Sequence, residues 1–562
     1  MNRRRFLRTG TASLALAGLD AASSRGQPMP RKPCKAPFRL LYGNDLTNLL
    51  SCNSPFHRRG EPFTADKLRA SIDEAVGADV QLLQPGLTYV PLWSSKLYPP
   101  REHFHWWRET FPGTPLHELG DYMLQGGDVV RVFVERCRAR GVAPFISLRV
   151  NDYHRLEFLD APAGTPLGAF DSLTLDRFRR EHPDYRLRPA NYPPVEAGGM
   201  TSKQLFAARH DAVLNWAIPA VRERFLGFVS EIVRDYDIAG LELDFLRHFN
   251  LFRLDQTTSA ERATIVTELI RRVRRELDAA AGSVRRWLSV RIPAALAVHD
   301  PLGLDVASLA SAGVDMFNLS SNYFTVQQDL DVAEIRRRAP LAALYVEMTH
   351  CTMVGADLTR GHGDNFSYRR ATAAQYHTTA ELQRARGADG VSFFNFTYFR
   401  EYGREPERGP FGEPPFDALP QLAARTFPAG MPRHYFLAPA WRSPYRNRVQ
   451  LPLKVADAGQ ASVRFDLARP SAGWRTRGWL RLQTETPIPA ARWQAKLNGT
   501  VLEPVASAAV PRDPHPALQG TAETLATWAV PRELVRDKIN EVTLSLSAGA
   551  AATLLFVELL FL

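Results

Sequence analysis

The chain has 562 residues, 45% hydrophobic and 10% aromatic, with a formal net charge of +11, enough for two to four domains with sizeable cores. Five arginines and one aspartate in the first 30 residues carry +4 of that charge, and the remaining +7 is scattered. With no basic block interleaved with aromatics, nothing points to nucleic acid.

At the N-terminus, NRRRFLRTG precedes a short apolar run, TASLALAGL, too short to span a bilayer. Paired arginines followed by Phe-Leu read as a twin-arginine export signal over residues 1–30, with Arg4 and Arg5 as the pair. The expectation is a periplasmic or secreted protein, with no later transmembrane stretch. Four cysteines (34, 52, 137 and 351) lack metal-ligand spacing. Cys34 and Cys52 stay open as a pair, and Cys137 falls in an apparent helix.

FRLLYGND, Phe38 to Asp45, reads as a strand that ends in Asn44 and Asp45. A helix follows, with Thr64 as N-cap and Leu68, Ile72 and Val76 on one face. ADVQLLQPG is the next strand. It opens a long loop with Tyr89, Trp93, Tyr98, Phe104, Trp106 and Trp107, and long loops inside compact units are usually functional. Its rings either stack on sugar faces or pack the loop down. A helix from Asp128 to Arg140 leads to APFISLRVNDYH, whose apolar run discharges Arg149, Asn151, Asp152 and His154. After an irregular stretch over 155–210, Pro219 opens a strong helix with Val221, Phe225, Phe228, Val229 and Ile232 inward.

IAGLELDFLRHFN, Ile238 to Asn250, is the stretch around which the chain is organised. Strand alternation puts Glu242 and Asp244 on one face and Leu241, Leu243 and Phe245 on the other. Two carboxylates on an inner face are costly without partners, and Arg247 and His248 follow at once. Four ionisable groups within seven positions mark a functional site; a structural ion-pair cluster is the alternative. Thr258 and Glu261 then have capping-box spacing before a helix carrying Ile265, Leu269, Val273 and Leu277. Further strands end near Arg291 (RWLSVRIPA), Asn318, Asn322 and Tyr323 (VDMFNLSSNYF), Glu347 and His350 (LAALYVEMTH), and Asn395 and Tyr398 (ADGVSFFNFTYF).

Eight strand-then-helix units across residues 38–430 predict an α/β fold, a (β/α)8 TIM barrel over 31–434. The polar residues cluster at the C-terminal strand ends, where barrel active sites are built. No GxGxxG or P-loop supports an open doubly wound sheet. From about residue 435 to 562, short alternating segments and the Asn498-Gly499 turn signal read as a small antiparallel β-sandwich. Trp474, Trp479, Trp493 and Trp528 line either its core or a sugar platform.

Aromatic loops, carboxylates at strand ends and an appended sandwich point to carbohydrate chemistry, in which two carboxyl groups flank a glycosidic bond. Asp244 and Glu347 are the expected catalytic pair. Glu242 is the third catalytic candidate, serving as a buried hydrogen-bonding partner, to Arg291 or Arg149. The substrate-binding candidates are Asn44, Asp45, Trp93, Arg149, Asn151, Asp152, His154, Arg247, His248, Arg291, Asn322, Tyr323, His350, Asn395 and Tyr398. No cofactor is expected, and the partner is a carbohydrate. A non-catalytic glycan-binding barrel is one alternative. A metal-dependent hydrolase using His154, His248, His350 and Asp244 is another, although HxH and HExxH spacings are missing.

Four stretches, GLELDFLRHF, LNWAIPAVRERF, ISLRVNDYH and ADGVSFFNFTYF, give the chain a resemblance over roughly residues 38–435. It resembles bacterial glycosyl-hydrolase-like barrels, close to the family-10-like hydrolases. The resemblance implies a glycosidase acting on a poly- or oligosaccharide. The strand-four and strand-seven placement is also similar to the large retaining-hydrolase clan, with a glutamate at each position. This chain departs from the clan's Asn-Glu dipeptide at the end of strand four and offers Asp244 there.

Overall fold

A computed structural model describes residues 35–87, 89–187, 210–248, 250–321, 325–353, 368–400, 413–440, 449–474, 477–506 and 522–561. Eight parallel strands close a barrel: β1 (Leu40–Asp45), β2 (Val80–Gln84), β3 (Ala143–Arg149), β4 (Gly240–Asp244), β5 (Trp287–Pro293), β6 (Met316–Ser320), β7 (Ala343–Met348) and β10 (Gly390–Phe394). Between β7 and β10 a short antiparallel ribbon, β8 (Cys351–Met353) with β9 (Tyr368–Arg370), is appended. The last barrel strand returns beside the first, with Leu40 opposite Val391 and Gly43 opposite Phe394.

Local sequence chemistry sets the helix limits. Thr64 accepts from the Lys67 amide and starts the helix Ala65–Glu74. That helix stops before Val76, which is 57% exposed rather than on the inner face. Asp128 caps Val129–Arg140, and left-handed Gly141 ends it. Thr258 and Glu261 form a reciprocal capping box on Ser259–Ala280. The helix Pro219–Asp235 buries the expected stripe of Val221, Phe225, Phe228, Val229 and Ile232 against the outside of the barrel.

Strand parity builds the barrel interior in layers. At the bottom, Leu41, Val80, Leu82, Phe145, Met316 and Tyr345 form an apolar plug, with the Phe38 ring edge-on to Phe145 and Trp287. Gly240 leaves room for it: a Cβ there would lie 2.5 Å from the Phe145 ring. Two residues further along each strand the inward positions become Ser147, Glu242, Ser289, Asn318 and Ser392. Two further still they are Asp45, Gln84, Arg149, Asp244, Arg291 and Ser320, and the stagger of the barrel brings Glu347, only two residues past Tyr345 and opposite Ser392, against Arg291 and Ser320. Register enforces this, since Glu242 lies opposite Ser147 and Ser289, and Asp244 opposite Arg149 and Arg291.

The C-terminal region is two antiparallel sheets. One runs β11 (Arg433–Leu437), β20 (Ala552–Phe561), β14 (Gly478–Thr484), β18 (Leu525–Val530), β17 (Glu503–Val505), with β12 (Leu453–Val455) also on β20. The other runs β13 (Gln460–Leu467), β19 (Lys538–Leu546), β15 (Trp493–Leu497), β16 (Thr500–Val501). Asn498 and Gly499 both have positive φ in the tight turn joining β15 to β16, as the sequence predicts. Between the sheets lie Val463, Phe465, Leu480, Trp493, Trp528 and Leu544, and Trp474 is buried there too; Trp479 is half-buried. Trp474, Trp493 and Trp528 are core residues, and the outer face of the smaller sheet is polar, with Ser462, Arg464, Lys496 and Thr543 along it.

The larger sheet is covered on both faces. Its second face meets the barrel, where Phe436 stacks on Phe556 in a cluster with Tyr376, Ala380 and Val391. The Gln328 side chain accepts from the Phe436 amide and donates to Thr379 and the His434 carbonyl. No helix among the described residues is long and apolar enough to cross a membrane.

Candidate functional site

The C-terminal end of the barrel is closed by a lattice of carboxylates and guanidiniums. Arg291, on β5, is 1% exposed and sits between two carboxylates. Its Nη1 donates to both oxygens of Asp244, at 3.0 and 3.1 Å. Its Nε and Nη2 each donate to Glu347 at 2.6 Å, a bidentate pair. The Phe394 ring lies beneath the guanidinium, 4.0 Å from Cζ. Glu347 also accepts from Ser320 at 2.6 Å. Asp244 accepts from Gln84 Nε2 at 2.5 Å and from the Leu246 amide at 2.9 Å. Asp244 and Glu347 thus meet neighbouring nitrogens of one guanidinium, well inside the ~10 Å beyond which they could not serve one bond.

A second half of the lattice surrounds Arg149, which donates to Asp45 at 2.6 Å and to Asp152 at 2.7 Å. Arg247 also reaches Asp45, at 3.3 Å. Burial opposes the charge on Asp45, but Arg149 and Arg247 outweigh it and hold the carboxyl at about 2. Burial likewise works against Arg149 and Arg291, and the surrounding carboxylates more than offset it, so both guanidiniums stay charged. Asp152 accepts from His154 Nδ1 at 2.5 Å and from its amide at 2.7 Å. Burial pulls the His154 imidazole below its ordinary value while Asp152 pulls the other way. Its side chain is 30% exposed at the mouth.

Glu242 lies one layer deeper. It accepts from Ser147 at 2.8 Å, Ser289 at 3.0 Å and Asn318 at 3.2 Å. Those three replace the arginine partners expected of it, because register places serines, not arginines, beside it. Burial pushes this carboxyl up to about 7; Asp244 adds to the rise and Arg291 opposes it.

Asn395 takes a left-handed conformation, and its Oδ1 accepts from the Asp45 amide and from Asn48 Nδ2. Asn44 accepts from Asn48. The His350 ring packs edge-on to Tyr398, 5.8 Å between centroids. Asn395, His350 and Tyr398 belong to the mouth, whereas Asn44, of opposite parity to Asp45, faces the helix layer beside Leu68 and Ile72. Asn322 and Tyr323 lie outside the described residues.

Three expected binding residues are used otherwise. Trp93 is 4% exposed and away from the mouth: its Nε1–H donates to Glu231 at 3.2 Å. Glu231, on the helix Pro219–Asp235, also accepts from Ser95 and the amides of Lys96 and Leu97. It staples the aromatic loop to the barrel wall, and Tyr89, Trp93 and Tyr98 pack on Phe228. Asn151 spends both ends of its amide on the Leu214 backbone. His248 turns Nδ1 to the Asn250 carbonyl at 2.5 Å and lies beside Tyr153 and His210. It lines a separate cleft of about 600 Å3 with Arg253 and Asp255, and burial lowers its imidazole to about 4. Among the described residues no group of three or more His, Cys, Asp or Glu is placed to hold a metal ion, so the convergence of His154, His248, His350 and Asp244 is not found. Gln84, Ser320 and Phe394 were missed by motif reading, although the parity of ADVQLLQ and GVSFF places Gln84 and Phe394 inward at their strand ends.

No protein-family model matches the chain, and no curated protein matches it either. Among solved structures it is similar to a Paenibacillus cycloisomaltooligosaccharide glucanotransferase complexed with cycloisomaltoheptaose, at 9% identity and TM-score 0.31, over 92% of this chain. The chain spans only 57% of that protein's length. It is also similar to a chitinase from Chromobacterium violaceum, at 11% identity and TM-score 0.33, over 69% of this chain and 100% of that one. A third is a family 36 alpha-galactosidase from Geobacillus stearothermophilus in complex with raffinose, at 12% identity and TM-score 0.35, over 91% of this chain and 56% of that one.

Proposed function

We propose that the barrel mouth cleaves glycosidic bonds in a poly- or oligosaccharide, with Asp244 and Glu347 as the working carboxyl pair. The observation that carries this reading is the shared guanidinium: Arg291 gathers a carboxylate from β4 and one from β7 at one point of the mouth. The surrounding charge favours the same chemistry. Four carboxylates (Asp45, Asp152, Asp244, Glu347) face three guanidiniums (Arg149, Arg247, Arg291), a surplus of negative charge suited to an oxocarbenium-like transition state. His154 and Tyr398, both partly exposed, reach the rim, where sugar hydroxyls would bind. Arg4 and Arg5 fit export by the twin-arginine route to the periplasm or beyond.

A second reading is a barrel that binds glycan without turnover. It is favoured by Glu347, 2% exposed, with both oxygens held by Arg291. One experiment separates the two. The full chain is incubated with a panel of polysaccharides, and both reducing-end release and binding are measured for wild type, Glu347→Gln and Asp244→Asn. Hydrolysis predicts release by wild type and a fall of roughly 10³–10⁴-fold in folded variants. Undiminished release by both variants overturns the carboxyl assignment, and binding without release by wild type supports the second reading.

A further inference from the structure

Beneath the Asp244–Arg291–Glu347 cluster, the barrel axis holds a cavity of about 10 Å3, close to the volume that admits one water molecule. Gly43, Gln84, Glu242, Asn318, Glu347 and Ser392 line it. Three of their buried polar atoms, Gln84 Oε1, Asn318 Oδ1 and Ser392 Oγ, have no hydrogen-bond partner among the described residues. Gln84 Nε2 donates to Asp244 and Asn318 Nδ2 donates to Glu242, so the amide oxygens are the acceptors left over. Leaving such atoms unmet carries the full cost of stripping water from them. A water molecule supplies two donors and two acceptors in a space of the right size.

We propose that one structural water occupies this chamber and joins Glu242 to Glu347 as a proton relay. Glu242 gives its proton to the water, the water gives one of its own to a Glu347 oxygen, and the negative charge moves from Glu347 to Glu242. One O–H bond breaks and one forms at each step, and no other reactant is needed. The charged groups facing Glu242 are Asp244 on its own strand, Arg291 on β5 and Glu347 on β7. Ser147, Ser289, Asn318 and Gln84 complete its surroundings with neutral groups. A carboxyl poised at about 7 is protonated in part of the molecules near neutrality and can store the proton. The use of the relay rests on the hydrolase reading, since a catalytic acid must regain its proton after each turnover. Its existence does not.

The test uses the full chain and no substrate. A high-resolution crystal structure should show one ordered water within hydrogen-bond distance of at least two of the three unmet atoms. Infrared difference spectra from about pH 5 to about pH 9 should show a protonated-carboxyl band that fades as pH rises through about 7 and is missing in Glu242→Gln. Glu347→Gln should move the midpoint of that band. So should Gly43→Ala: its added Cβ would lie 3.5 Å from Phe394 and 3.6 Å from Leu82, ordinary contacts that allow folding while filling the chamber. An empty chamber, a coordinated cation in place of water, a band unchanged by Glu242→Gln, or a midpoint unmoved in both other variants each overturns the relay. A wild type that cleaves no glycan fails the hydrolase reading instead and leaves these spectroscopic outcomes as they stand.

Discussion

The barrel and the sandwich bury comparable strands in opposite ways. Inside the sandwich, β13, β14, β18 and β19 meet through Val463, Phe465, Leu480, Trp528 and Leu544. The polar trio of Glu558, His434 and Arg481 is confined to the larger sheet on its barrel-facing side. Inside the barrel, apolar residues fill the bottom, and the top, apart from the Phe394 ring under Arg291, is Asp45, Arg149, Asp244, Arg291 and Glu347, each at most 7% exposed. Packing alone does not require the second arrangement, because apolar residues of similar volume often serve a core at least as well. The difference locates the part of the molecule where charge was retained against its desolvation cost.

The largest test of that contrast is Arg291→Met. It leaves Asp244 and Glu347 buried without their common cation, and a loss of roughly 5 kcal/mol is expected. Trp528→Ala in the sandwich should cost somewhat less, about 4 kcal/mol, from the cavity it opens. The two losses should respond differently to acid. Calorimetry at falling pH should show the Arg291→Met deficit shrinking as the orphaned carboxylates take up protons, while the Trp528→Ala deficit stays put. Parallel pH profiles would mean that the barrel interior behaves as an ordinary core.

Glu242 sharpens the comparison further. Its folded value, about 7, lies above the ordinary 4.5, so the folded state binds the extra proton. The stability this contributes is full below about 4.5 and is lost as pH rises through about 7. Glu242→Gln should therefore be neutral near pH 4 and more stable than wild type above pH 7, by up to ~3 kcal/mol. Denaturant melts at the two pH values measure this, and equal stabilities at both would remove the raised carboxyl. The smallest effect is expected away from both cores. Thr258→Ala deletes one half of the capping box on Ser259–Ala280 and should lower stability by ~1 kcal/mol at every pH.

Much of this was legible in the chain itself, because strand parity is a local property. Once GLELD is a strand, Glu242 and Asp244 must share a face, and the same parity turns Arg291 and Glu347 inward. Capping residues, the Asn498-Gly499 turn and the change from helical to alternating periodicity near residue 434 are equally local. Tertiary structure alone decided which inward groups meet. Arg291 reaches Glu347 two strands away because the barrel closes with a particular stagger, and no spacing along the sequence encodes that distance. Glu242 meets serines and an asparagine rather than arginines because register sets its layer. Trp93 looked like a sugar platform until Glu231, more than a hundred positions later, drew its loop onto the barrel wall. The sequence determined which side chains face the axis, and closure of the sheet determined their partners, because parity follows from one strand and partnership from eight.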